Sequence, residues 1–69
     1  MNYYENMRKL REQRGLSQSD IASLLQTTRQ QVGKWEAGIQ MMGVDKYVKL
    51  AQFYQVSVDF LLGLTESKG

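Results

Sequence analysis

The sequence predicts an all-α fold. Three observations carry that expectation. Apolar residues recur at helical spacing along most of the chain. Serine and threonine caps stand where those runs begin, and glycines stand where several of them end. The period-2 alternation of strands is nearly absent. With no proline in the chain, glycines and capping residues supply all the punctuation.

The elements follow in order. Met7, Leu10 and Arg14 lie on one side of a helix that begins near Tyr3. Gly15 follows at the position where a left-handed residue closes a helix. Leu16-Ser17-Gln18-Ser19-Asp20-Ile21 then reads as a helix start. Ser17 caps, Asp20 sits in the first turn near the positive end of the dipole, and Leu16 staples onto Ile21. Ile21, Ala22, Leu24 and Leu25 form the apolar face of this second helix. Gln26-Thr27 separates it from a third, where Thr28-x-x-Gln31 matches the capping-box pattern with Thr28 as the cap. Val32 and Trp35 fall on the core side of that helix, and Gly38 ends it. Residues 39–43 form a loop. Val44, Val48, Ala51 and Tyr54 repeat with helical spacing and mark a fourth helix. Val56-Ser57-Val58-Asp59-Phe60-Leu61 repeats the capped start, with Ser57 as the cap of a short fifth helix that Gly63 stops. A frayed tail is expected over about residues 65–69.

Composition bounds the possibilities. Sixty-nine residues make one small domain, residues 1–69. A chain of this size buries only about 60% of its unfolded surface. It has no Cys and no His, which excludes disulfides, zinc fingers and iron–sulfur clusters, and no metal or cofactor is expected. Stability must come from packed apolar side chains, which at 42% suffice for one core. No apolar run approaches the roughly 20 residues of a membrane span. Met-Asn-Tyr-Tyr-Glu lacks the layout of a signal peptide, so the chain reads as cytoplasmic. The net charge of +2 is unevenly placed. Residues 1–35 carry six basic side chains against three acidic, and residues 36–69 carry three against four. The basic first half fits either an anionic partner or a solvated helix face.

The functional signal lies between the second and third helices. Two helices of similar length around a two-residue break, over about residues 17–36, make a helix-turn-helix corner. The second helix of such a corner can enter a DNA major groove. On the third helix Gln30 lies almost opposite Val32 and Trp35, flanked by Gly33 and Lys34, with Arg29 at the edge. That face carries no acid. Arg and Lys suit guanine edges and Gln suits adenine. Arg29 and Gln30 are therefore the main base-reading candidates, and Lys34 can touch a base or a phosphate. An ordinary polar surface helix also contains Arg, Gln and Lys, but Gly33 costs such a helix about 1 kcal/mol relative to Ala. A position without a side chain facing DNA lets the backbone approach closely.

These residues resemble the XRE/Cro/phage-repressor helix-turn-helix family over residues 7–63. The matching segments are Arg8-Lys9-Leu10-Arg11, Gly15-Leu16-Ser17-Gln18, Ile21-Ala22 and Thr27-Thr28-Arg29-Gln30-Gln31-Val32. Lys34-Trp35-Glu36-x-Gly38 and Val56-Ser57-Val58-Asp59-x-Leu61-Leu62-Gly63 complete the series. The resemblance implies a compact five-helix bundle of the lambda-repressor-like kind. It also implies sequence-specific binding to double-stranded DNA at an operator, transcription regulation with repression as the expected mode, and a homodimer. It assigns Gln18 to a DNA phosphate, a role that suits a helix N-terminus; a first-turn glutamine can also lie simply in water. Thr27 either donates to a phosphate or shapes the turn. Thr28 and Gln31 support the start of the reading helix. The resemblance further implies that Arg11 and Glu36 pair, tying the first helix to the end of the third. The chain departs from the family pattern at three places. Gln26 stands where a turn glycine is usual, so a non-glycine is expected at positive φ. Gln55 replaces a glycine at the end of the fourth helix. The loop Ile39-Gln40-Met41-Met42-Gly43 lacks basic residues and proline, which implies fewer ionic contacts and modest affinity.

Two further expectations concern partners. Met41 and Met42 offer either an adaptable contact surface or a cover for the core beneath the loop, and the small size of the chain favours the cover. Phe53, Tyr54, Phe60, Leu62 and Leu64 exceed what five short helices bury easily, which points to a homodimer on a palindromic site. A rival from another class is a protein-interaction module, such as an antitoxin or adaptor on the same scaffold. Such a module would favour apolar anchors around Gln30. An enzyme is not expected, because the chain lacks His, Cys, a phosphate-binding glycine loop and room for an enclosed pocket.

Overall fold

The computed structural model describes residues 3–66. The helices are α1 Tyr3–Gln13, α2 Gln18–Leu25, α3 Arg29–Glu36, α4 Val44–Tyr54 and α5 Val58–Leu61, with no strand among the described residues. Helix α2 packs on α3, α1 packs on α3 and α5, and α5 packs on α4. One core joins all five, built from Met7 and Leu10 of α1, Ile21, Ala22 and Leu25 of α2, and Val32 and Trp35 of α3. Tyr47, Leu50, Ala51 and Tyr54 of α4, and Leu61 of α5, complete it together with Met42 from the loop before α4. Of the expected tail, only Thr65 and Glu66 are described, both exposed beyond α5; residues 67–69 lie outside the described residues.

Local chemistry sets the helix ends. Ser17 Oγ accepts from the Asp20 amide at 3.0 Å, and Asp20 Oδ2 accepts from the Ser17 amide at 2.8 Å. Asp20 therefore closes a complete capping box, beyond the first-turn dipole role read from the sequence. Ser57 Oγ accepts from the Phe60 amide at 3.0 Å in the same way. Each helix closes through a left-handed residue: Gly15, Gln26, Gly38, Gln55 and Gly63. Gly38 has a second reason to be glycine. A Cβ there would lie 2.7 Å from the Tyr4 ring, which covers the end of α3.

Two sequence expectations need correction. The buried stripe of α4 is Tyr47, Leu50, Ala51 and Tyr54, whereas Val44 and Val48 are exposed at 75% and 39%. Val44 opens the helix and Val48 lies at the edge of the stripe, so neither reaches the core. Leu24, assigned to the apolar face of α2, is only partly buried beside the core. Of the five late apolar residues, Tyr54 is fully buried and Phe60 and Leu62 pack partly against the core. Phe53 and Leu64 stay exposed. Met42 is buried and Met41 exposed, so one methionine of the pair covers the core.

Candidate nucleic-acid interface

The corner is tight because α2 ends abruptly. Gln26 takes φ 57, and the Thr27 amide reaches back to Ala22 O at 2.9 Å. Backbone carbonyls are thereby satisfied at the end of α2. Thr28 then returns to extended backbone, and its Oγ1 accepts from the Gln31 amide at 3.1 Å to start α3. The second half of that expected capping box does not form. The Gln31 side chain points instead toward the loop after α3, where its Nε2 donates to Gln40 Oε1 at 2.6 Å.

Helix α3 has two chemically distinct sides. Val32, Trp35 and Glu36 are buried. Arg29, Gln30 and Lys34 are exposed, as is the cap Thr28. Gly33, Gln31, Thr27 and Gln18 are half-buried around this exposed strip. Gly33 has ordinary helical backbone, and a Cβ there would meet the Gln18 amide at 3.9 Å from both Nε2 and Oε1. The first residue of α2 thus lies against the middle of α3.

Beneath this strip lies a charged network. Arg11 Nε donates to Glu36 Oε2 at 2.8 Å, and Arg11 Nη2 donates to Glu36 Oε1 at 3.1 Å. The remaining arm, Nη1, donates to Leu16 O at 2.8 Å. One guanidinium therefore joins α1, the entry of α2 and the end of α3. The hydrogen bond to Glu36 raises the Arg11 pKa above its ordinary value, with burial opposing. Glu36 Oε1 also accepts from Gln18 Nε2 at 3.2 Å. The carboxylate of α3 is thus turned inward and paired, leaving its outward face without an acid. Spacing alone does not reveal the Gln18–Glu36 bond, because those residues meet only when the corner folds. The same holds for the Gln31–Gln40 contact. No sequence signal marks it, since its position depends on the loop path set by Gly38 at φ 76.

This architecture defines the class as a helix-turn-helix protein: a short corner between α2 and α3, with the face of α3 open and the remaining helices bracing it. The comparisons agree. The helix-turn-helix family model matches residues 7–61, and the chain belongs to that family. It is 36% identical over 64 residues to YobD of Bacillus subtilis, described as an uncharacterized HTH-type transcriptional regulator, covering 93% of this chain and 57% of that protein. Among solved structures, a transcriptional regulator from Listeria innocua superposes with a TM-score of 0.87 at 29% identity, covering 90% of this chain and 58% of the other. The P22 c2 repressor, solved with a synthetic operator, superposes with a TM-score of 0.82 at 19% identity, covering 90% and 94%; that likeness bears on the fold. The chain spans somewhat over half the length of YobD.

Proposed function

We propose that this chain is a sequence-specific binder of double-stranded DNA and the DNA-reading domain of a transcriptional regulator, acting as a repressor at an operator. The observation that carries this reading is the exposed face of α3. It presents Arg29, Gln30 and Lys34, while the carboxylate of the same helix is buried against Arg11. Arg29 and Gln30 read base edges in the major groove, and Lys34 reaches a base or a phosphate. Gln18 and Thr27 meet the backbone, Thr28 and Gln31 fix the start of α3, and Gly33 leaves the groove wall unobstructed. Residues 1–69 work as one domain, with residues 17–36 as its reading unit. No helix among the described residues is long and apolar enough to cross a membrane, which fits work in the cytoplasm beside the DNA. The relative's description as a transcriptional regulator supports the same assignment.

Selection of bound sequences from a random duplex pool tests the proposal. Enrichment of an inverted repeat is the expected result. Binding without sequence preference would instead favour a protein-interaction module on this scaffold. At the selected site, Gln30→Ala should relax preference at one base pair and cost about 1–3 kcal/mol. An unchanged preference would remove Gln30 from the reading set.

A further inference from the structure

Gln18 is half-buried at the first residue of α2, and its amide lies 3.9 Å from where a Cβ on half-buried Gly33 would stand, beside the exposed strip of α3. An exposed glutamine amide rotates and presents its oxygen or its nitrogen with little difference in energy. Only the nitrogen end can donate to a phosphate. Something must therefore select the amide orientation if Gln18 is to be ready before DNA arrives. Glu36 has the required chemistry. Its carboxylate only accepts hydrogen bonds, so it holds the nitrogen end of Gln18, at 3.2 Å, and disfavours the oxygen end. The carboxylate is itself fixed by two N–H groups of Arg11. Its side chain is only 6% exposed and that of Arg11 only 12%. One Gln18 N–H is used by Glu36, and the second on the same nitrogen remains to be given away.

We propose that Glu36 is a positioning residue for backbone recognition. Held by Arg11, it orients the Gln18 amide so that a nitrogen-bound hydrogen is offered to a DNA phosphate. This rests on the reading that Gln18 meets a phosphate. The arrangement gives a buried acid near an anionic ligand a use beyond tying helices together. The guanidinium compensates the negative charge, and the carboxylate sets the direction of a neutral donor.

The test has one readout without DNA and one with it. In the free protein, the side-chain amide of Gln18 should show a heteronuclear NOE close to that of the helix backbone, whereas exposed Gln30 should be averaged. A Gln18 amide as mobile as that of Gln30 overturns the positioning role. That measurement uses the unaltered protein, so it stands even if a Glu36 variant fails to fold. With DNA, affinity for a duplex of about 20 base pairs and mixed sequence is read by anisotropy at fixed salt. Gln18→Ala should weaken binding about tenfold and Glu36→Gln about fivefold. The double variant should be no weaker than Gln18→Ala alone. Losses that multiply in the double variant overturn the proposal, because a purely structural Glu36 would act independently of Gln18. No loss from Gln18→Ala overturns the phosphate reading and the proposal built on it, and a rigid Gln18 amide in the free protein would mark that outcome as a failure of the DNA assignment.

Discussion

Gly33 sits in the middle of α3 with helical backbone and no steric demand for glycine. A Cβ would meet only the Gln18 amide, at 3.9 Å. Glycine there costs helix stability for no gain in the free protein, so stability and binding should respond in opposite directions. Gly33→Ala should raise stability by about 1 kcal/mol, which for a domain of this size moves the melting temperature by about 4–8 °C. On the proposed reading the same change should weaken DNA binding, because the methyl group would crowd the Gln18 amide, 3.9 Å away, and the close approach of the α3 backbone. Thermal melting and anisotropy read the two effects on one sample. A variant with both higher stability and undiminished affinity would take Gly33 off the DNA face. Gln26 illustrates what was legible at this scale. The family resemblance puts it where a turn glycine is usual, which implies a left-handed non-glycine, and the residue lies at φ 57. The Gln31–Gln40 bond was not legible, because nothing in a nine-residue separation fixes where a loop amide will lie.

At the scale of the helix, the sequence was most informative where interactions are local. Ser17, Thr28 and Ser57 all cap the helices they precede, since a cap is decided within three residues. The buried face of α4 was less legible. Val44 and Val48 fit helical spacing as well as Tyr47 and Leu50 do, and the choice depends on how neighbouring helices approach. Tyr47 and Leu50 take the places expected for Val44 and Val48, while Ala51 and Tyr54 lie in the core as expected, Tyr54 almost wholly enclosed. That burial has a measurable consequence. It pushes the Tyr54 phenol up to about 12, with Glu36 adding to the rise and Arg11 and Arg14 opposing it. A phenol whose folded value exceeds its ordinary value of 10.0 binds its proton more tightly in the folded state. Its contribution is therefore complete below pH 10 and is lost as pH rises from there through about 12. Denaturation followed across this range should show stability falling more steeply in the parent than in Tyr54→Phe. Parallel curves for the two proteins would show that another group controls the alkaline loss.

For the molecule as a whole, size argues for two copies on DNA. The longest extent of the fold is 29 Å, shorter than the roughly 34 Å between successive major-groove faces of one duplex side. One chain carries a single α3 and can read one half-site only. On the proposed reading, an inverted repeat would require two chains related by a two-fold axis, each offering Arg29, Gln30 and Lys34 to its own half. The surface has apolar material for such a pairing. Phe53 and Leu64 are 44% and 72% exposed, although the inward packing of Tyr54, Phe60 and Leu62 makes the surplus smaller than composition suggests. The loop after α3 carries no cation, so phosphate contacts there would come from groups such as Gln40 or backbone amides, and each half-site should bind weakly. Weak half-sites would make pairing on DNA the main source of affinity, with a second chain binding beside the first. Sedimentation at micromolar concentration should accordingly show two chains per duplex on the selected inverted repeat, and one chain on a duplex holding a single half-site. A single chain on both duplexes, and a monomer without DNA, would exclude the two-fold arrangement and leave α3 reading one half-site alone.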